Sequence, residues 1–253
     1  MMTWDQLASY DHEAQSSQSG ANHHKPLNGT DWMRKTSVFS AETLQNGVFS
    51  RLPAANIEAM FSRMTPIEVK AGQVMVTQGA QGDYYFLIER GEAEVTRSKG
   101  NAPAISLAML GPGQAFGEEA LVSDNKRNAT VTMKTDGLLL RLNKQDFVEL
   151  LKAPLLQYVE KPEAEALVKA GAVWLDVRFP SEFEFEHLSG AINAPLHEIR
   201  NRLKGLDPAR QYIAYCQTGR RSSAAAFILI QHGLNAVVLK GGTRGLSTPD
   251  QSL

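Results

Sequence analysis

The sequence predicts two domains of different class: an all-β barrel with flanking helices, then an α/β domain built on a parallel sheet. Three observations predict it. The 253 residues suffice for two ordinary domains. From residue 67 to 142, short apolar runs with period two are separated by turn residues. From residue 163 onward, helix-like and strand-like segments alternate, which is the pattern of a parallel sheet.

The elements follow in order. Residues 1–40 are polar and aperiodic, broken by Ser16-Ser17-Gln18-Ser19-Gly20 and Asn28-Gly29, and are expected to form a disordered arm. The first domain is expected over 41–157. It opens with a helix started by Pro53, on which Ile57, Met60, Phe61 and Met64 recur at helical spacing. Strands are expected at 67–69, 74–77, 84–89, 93–96, 105–110, 129–133 and 138–142. Asn143 then caps a helix bearing Phe147, Leu150 and Leu151. The second domain is expected over 158–253, beyond a short stretch bracketed by Pro154 and Pro162. It reads as helix 163–170, strand 173–175, a helix near Pro180, a strand at 191–192, helix 196–203, strand 212–215, helix 222–232 and strand 236–239.

Composition excludes several functions. The 26 basic and 27 acidic residues balance, so no general nucleic-acid binder is expected. No window approaches the ~18 apolar residues of a membrane span. Met1-Met2-Thr3-Trp4-Asp5-Gln6 shows no basic and then apolar leader, so the chain is expected to be unexported and cytoplasmic. A single cysteine forms no internal disulfide, which fits a reducing compartment. His23 and His24 have no further Cys or His at ligand spacing, and no metal is expected.

The first chemically informative segment is Phe116-Gly117-Glu118-Glu119-Ala120-Leu121, followed by Lys126-Arg127-Asn128-Ala129-Thr130-Val131. Gly117 permits a tight turn beside a short helix, whose first N–H groups suit an anion. Arg127, ten residues later, returns a guanidinium to the same point. Glu118 accepts hydrogen bonds from sugar hydroxyls. Together with the glycine-punctuated run from Gln78 to Val95, these residues resemble the phosphate-binding cassette of cyclic-nucleotide-binding domains. The resemblance covers about 48–151 and implies a jelly-roll barrel. It implies that Glu118 takes the ribose 2′-hydroxyl, that Arg127 pairs with the cyclic phosphate, and that Gly117, Glu119, Ala120, Asn128 and Ala129 complete the cradle. Glu119 stands where the family has Leu or Ile, Lys126 where it has Pro, and Asn128 where it has a small residue. Glu119 brings negative charge towards an anion site, with Lys126 expected to offset part of it. Asn128 suits a phosphate or a base edge, so the expected ligand is cAMP or cGMP.

The second segment is Tyr215-Cys216-Gln217-Thr218-Gly219-Arg220-Arg221-Ser222-Ser223, between an apolar strand and an apolar helix. A cysteine at a strand's C-terminal end, opening onto a helix N-terminus, lies where parallel sheets bind ligands. The helix and the cations Arg220 and Arg221 favour a thiolate, and Gly219 lets the loop curl its N–H groups inward. The loop resembles that of the rhodanese homology domain. So do Leu175-Asp176-Val177-Arg178, Glu182-Phe183, Gly190-Ala191-Ile192-Asn193-Ala194-Pro195 and Lys240-Gly241-Gly242, over about 160–246. The resemblance implies that Cys216 takes sulfur from a small sulfane donor such as thiosulfate, holds it as a persulfide and passes it to a thiol or cyanide-like acceptor. The same resemblance implies that Arg221 closes the loop, that Gln217, Thr218, Gly219, Arg220 and Ser222 line it, and that Asp176 with Arg178 supports it from beneath. The related dual-specificity phosphatases have a longer loop, so sulfur is favoured over phosphate.

Two functions follow. One is a cyclic-nucleotide-responsive sulfurtransferase. The other is a non-catalytic cyclic-nucleotide sensor whose second domain recruits a protein. A transcription regulator is disfavoured, because no helix-turn-helix follows the barrel.

Overall fold

The computed structural model describes residues 49–100 and 102–246. The arm expected over 1–40 lies outside the described residues. The first domain is antiparallel throughout. Its strands are β1 (Thr65–Val69), β2 (Val74–Val76), β3 (Tyr84–Arg90), β4 (Ala93–Arg97), β5 (Ile105–Leu110), β6 (Ala115–Phe116), β7 (Thr130–Met133) and β8 (Gly137–Asn143). They form two four-stranded sheets, β1-β8-β3-β6 and β2-β7-β4-β5, closed face to face as a jelly-roll-like barrel. Helix α1 (Ala54–Arg63) precedes them and α2 (Glu118–Ser123) interrupts them. After β8, α3 (Lys144–Phe147) runs through a π-helical turn (Val148–Lys152) into α4 (Ala153–Leu155). Asn143 caps α3, its Oδ1 accepting from the Asp146 amide at 2.9 Å.

Strand β3 explains how the two domains join. Side chains alternate along a strand, yet Tyr85, Phe86, Leu87 and Ile88 are all buried. Phe86 and Ile88 face the barrel interior with Val131 and Leu139. Tyr85 and Leu87 face outward into a second core, which also holds Phe147, Leu151 and the helix of the other domain. The outer face of this sheet is therefore covered rather than wet.

The second domain has five parallel strands in the order β11-β10-β12-β13-β9. They are β9 (Tyr158–Val159), β10 (Val173–Asp176), β11 (Ile192–Asn193), β12 (Gln211–Tyr215) and β13 (Asn235–Leu239). Helices α5 (Lys161–Lys169), α6 (Pro180–Phe185), α7 (Ile199–Arg202) and α8 (Arg220–Gln231) complete it. Alternate residues of β12 point to opposite faces: Ile213 and Tyr215 pack among the partners of α5, Tyr212 and Ala214 among those of α8. Helix α8 is buried from Ser222 to Ile230 without interruption. A helix apolar on all sides must be covered on all sides. Here the sheet covers one side and the first domain the other, with the Phe227 ring centroid 5.6 Å from that of Phe147.

Most elements lie within two residues of the sequence expectation. The two-residue strands β6 and β9 were not anticipated, being too short to show a period. The helix expected over 196–203 is broken: a 3-10 turn (Leu196–Glu198), α7, and a second 3-10 turn (Leu203–Gly205). No helix of the described residues is long and apolar enough to cross a membrane.

Candidate functional site

Cys216 follows directly on β12, the central strand of the parallel sheet. Gly219 takes a left-handed φ of 90° and starts α8. The chain thereby folds back over the sulfur. Sγ accepts from the Gly219 amide at 3.2 Å and from Ser222 Oγ at 3.6 Å. Burial alone pushes this thiol up. The Ser222 hydroxyl and the amides of Ser222, Thr218 and Gly219 outweigh burial and bring it below the ordinary thiol value. Cys216 is only 1% exposed, whereas Gln217 and Thr218 are exposed. An open cleft of about 660 Å³ beside the loop is lined by Gln217, Arg178, Glu182, Phe185 and Arg244.

Arg221 ends the loop in a bidentate pair with Glu182, at 2.6 and 2.8 Å. That guanidinium, helped by the Phe179 amide, holds the Glu182 carboxyl down at about 2. The sequence marks Glu182 only through the resemblance of Glu182-Phe183 to the rhodanese pattern. Its signal was its place three residues into α6, where it accepts from the Phe179 amide at 3.0 Å. Asp176 and Arg178 form a buried pair, with Nη2–Oδ2 at 2.6 Å. Asp176 is in register with Tyr215, one residue before the cysteine. Behind the loop, the amides of Thr243 and Arg244 donate to the carbonyls of Cys216 and Gln217 at 2.8 and 3.0 Å. Gly242 makes this possible: any Cβ there would collide with the Cys216 carbonyl. Arg220 was expected beside the thiolate, and no bond between it and Sγ is found among the described residues. Arg220 is exposed, and its charge acts on Asp124 of the barrel domain.

The barrel's cassette lies at the junction of the domains. Gly117, with φ 92°, starts α2. A Cβ at Gly117 would meet Arg127 Nη1 at 2.8 Å and the Tyr84 carbonyl at 2.9 Å. Arg127 is buried and donates to the carbonyls of Gly117 and Tyr84 at 2.6 and 2.7 Å. Burial lowers its pKa, while Asp83 and Glu118 raise it. It has no carboxylate within ion-pair distance among the described residues. Glu118 is also buried. Its Oε1 accepts from Arg200 of α7, and its Oε2 has no partner among the described residues. Both residues line a cavity of about 220 Å³, walled by Val76, Val95 and Leu110 of the barrel and by Leu196, His197 and Arg200 of the second domain. A buried cation without an ion-pair partner and a buried acceptor without a donor, both among the described residues, fit a ligand carrying one anion and one hydroxyl.

Ala120 and Ala129 are buried beside this cavity and Asn128 is exposed at its edge. Burial raises the Glu119 carboxyl, and Arg200 is the first group to oppose that rise, with Asn128 and Arg97 contributing. The expected compensation by Lys126 is therefore corrected: Arg200 Nη1, 3.5 Å from Glu119, supplies it. Sequence reasoning missed Arg200 altogether, since nothing local marks an arginine that serves the other domain. A separate, smaller cavity of about 130 Å³ is lined by Glu119, Asn128, His197, Phe179 and Arg221.

The fold and these two loops define the class of protein. A model of the cyclic nucleotide-binding domain matches residues 66–153, and a model of the rhodanese-like domain matches residues 160–248. The chain thus joins a cyclic nucleotide-binding domain to a rhodanese-like domain, and through its second domain it belongs to the rhodanese-like family. Thiosulfate sulfurtransferase PspE of Escherichia coli is 37% identical over 84 residues, covering 32% of this chain and 81% of the relative. The cAMP-dependent protein kinase regulatory subunit of Yarrowia lipolytica is 35% identical over 135 residues. That match covers 53% of this chain but only 34% of the regulatory subunit, so the chain spans about a third of that relative. A cGMP-dependent protein kinase of Eimeria tenella is 35% identical over 108 residues, covering 42% of this chain and 10% of the relative.

Proposed function

We propose that this chain is a cyclic-nucleotide-responsive sulfurtransferase that carries a persulfide on Cys216. The observation that carries the reading is the surroundings of Sγ: amide and hydroxyl donors converge on it and favour the thiolate. In this reading the thiolate attacks the outer sulfur of a donor of the thiosulfate type. A new S–S bond forms, the donor's own S–S bond breaks, and sulfite leaves with the electron pair. The loop amides then hold the terminal persulfide sulfur, which carries the negative charge. A cyanide-like or thiol acceptor takes that sulfur and returns the Cys216 thiolate. Arg221 and the Asp176–Arg178 pair keep the loop in shape, and Arg178 also edges the cleft where donor and acceptor would arrive. The chain would work unexported, in a reducing compartment that keeps a lone thiol free.

The nucleotide half of the reading rests on Glu118 and Arg127. Glu118 Oε2 would accept from a ribose 2′-hydroxyl, and Arg127 would pair with the cyclic phosphate of cAMP or cGMP. One observation favours the alternative of a sensor without turnover: Cys216 is almost fully enclosed. Intact mass after exposure to thiosulfate separates the two. The expected result is gain of one sulfur atom, discharged by cyanide as thiocyanate. An unchanged mass would sink the catalytic reading and leave the sensor.

A further inference from the structure

We propose that Arg200, carried by the rhodanese-like domain, is a positioning residue of the nucleotide pocket, holding Glu118 so that its free oxygen meets the ligand's 2′-hydroxyl. The proposal rests on the nucleotide reading above and deepens it, by assigning part of the site to the neighbouring domain.

The geometry of the bridge points this way. Arg200 Nη2 donates to Glu118 Oε1 at 2.5 Å, while Nη1 lies 3.5 Å from Glu119 Oε2. One guanidinium thus spans two adjacent carboxylates, as its planar fork permits and a lysine's point charge does not. The bridge uses one oxygen of Glu118 and leaves Oε2 buried and without a partner among the described residues, on a side chain that lines the cavity. An arginine that plugged the site would consume both oxygens; this one leaves the acceptor that a sugar hydroxyl requires. A carboxylate with one oxygen anchored has its other oxygen fixed in direction, which is preorganisation rather than competition.

The charge balance agrees. The cavity presents Arg127 to an anion, yet Glu118 and Glu119 stand at the same rim. Two uncompensated carboxylates there would oppose a phosphate. Burial pushes the Glu119 carboxyl up, and Arg200 pulls hardest against it.

The platform is firm. Ile199, next to Arg200, is 1% exposed and sits in the core shared by the domains. The preceding 3-10 turn is tied down by Leu196, whose amide donates to the Val177 carbonyl at 3.1 Å. Arg200 itself is half-exposed, so its removal leaves no hole in the core.

The test is calorimetry on the full chain, with whichever of cAMP and cGMP binds more tightly and with its 2′-deoxy counterpart. Wild type is compared with Arg200→Ala, Arg200→Lys and Arg202→Ala, a control on the same helix whose only ion pair among the described residues is the exposed contact with Glu198. Arg200→Ala is expected to weaken the ribonucleotide about tenfold, the scale of one charge-assisted hydrogen bond. The 2′-deoxy form should change by less than about twofold, so that ribose discrimination collapses. Arg200→Lys should recover part of that discrimination, and Arg202→Ala should match wild type. Equal loss for both ligands would reduce Arg200 to support of the fold and overturn the proposal. Tighter binding by Arg200→Ala would make it a plug and overturn it too. Failure of wild type to bind either nucleotide would overturn the nucleotide reading itself, and this inference with it.

Discussion

Helices α2 and α8 begin in the same manner, and the comparison between them separates the two halves of this protein. Gly117 has φ 92° and Gly219 has φ 90°; each follows a strand, and the two helices pack against each other. At Gly219 the group that receives the loop's amides is built into the chain, since Sγ of Cys216 already lies among them. At Gly117 the neighbouring groups are left over: an oxygen of Glu118 lacks a donor and the Arg127 charge lacks a counter-ion among the described residues. A loop whose polar groups are satisfied before substrate arrives is organised for chemistry on its own atom. A loop whose polar groups stay unsatisfied is organised for a ligand that supplies what is missing.

The largest effect should come from deleting the built-in atom. Cys216→Ser is expected to reduce thiocyanate production from thiosulfate and cyanide to the uncatalysed background, because a hydroxyl is neither as readily ionised nor able to hold a sulfane sulfur. Nucleotide affinity should stay within about twofold of wild type. Turnover that survives would show that the chemistry lies elsewhere and break the comparison at Gly219.

The matching change at the other loop is Arg127→Ala. It should weaken cyclic-nucleotide binding by at least ~1.5 kcal/mol, the low end for a hydrogen bond to a charged group, and leave nucleotide-free turnover unaltered. Unchanged affinity in calorimetry would remove the cassette assignment.

Coupling between the loops should be smaller or similar, about 1–3 kcal/mol, or roughly 5- to 150-fold in affinity. The packing of α8 on α2 and the cavity running from Glu119 to Arg221 are the physical grounds for it. Nucleotide titrated against thiol-form and persulfide-form protein should give two different affinities. Thiosulfate titrated with and without nucleotide should show the same ratio. Equal affinities in both pairs would leave the domains merely adjacent.

The smallest expected effect concerns pH. The Glu182 carboxyl is held at about 2 by Arg221, below the ordinary 4.5 of the unfolded chain. A depressed carboxyl stabilises the fold fully above its unfolded value and loses that contribution as pH falls towards its folded one. Glu182→Gln should therefore cost about 1 kcal/mol or less at neutral pH. The gap from wild type should narrow between pH 4.5 and 2 in denaturant melts. A gap independent of pH would mean that the bridge contributes packing and no charge.

Much of this was legible in sequence because it is local. The period-two runs, the cap at Asn143, the strand ending at Tyr215 and the turn at Gly219 each depend on residues close together in the chain. What escaped depends on partners far apart. Arg200 meets Glu118 across 82 positions, and Glu182 meets Arg221 across 39. One long-range signal is present in the sequence. The run Ala224-Ala225-Ala226-Phe227-Ile228-Leu229-Ile230 is apolar on every side, and a single sheet covers only one side of a helix. Glu119, odd when set beside the resembled pattern, becomes ordinary once Arg200 faces it.

The core shared by α8, β3 and the helix bearing Phe147 has a further consequence, which concerns heat. Neither domain can melt without uncovering apolar surface of the other, so unfolding should proceed as one cooperative transition. Whatever binds the folded chain at one site then protects both. In the proposed reading, a nucleotide at a hundred times its dissociation constant would add about 2.7 kcal/mol to the whole, and the Cys216 loop would share in it. In a melting curve, a molecule that binds only the barrel would also raise the temperature at which the rhodanese-like domain unfolds.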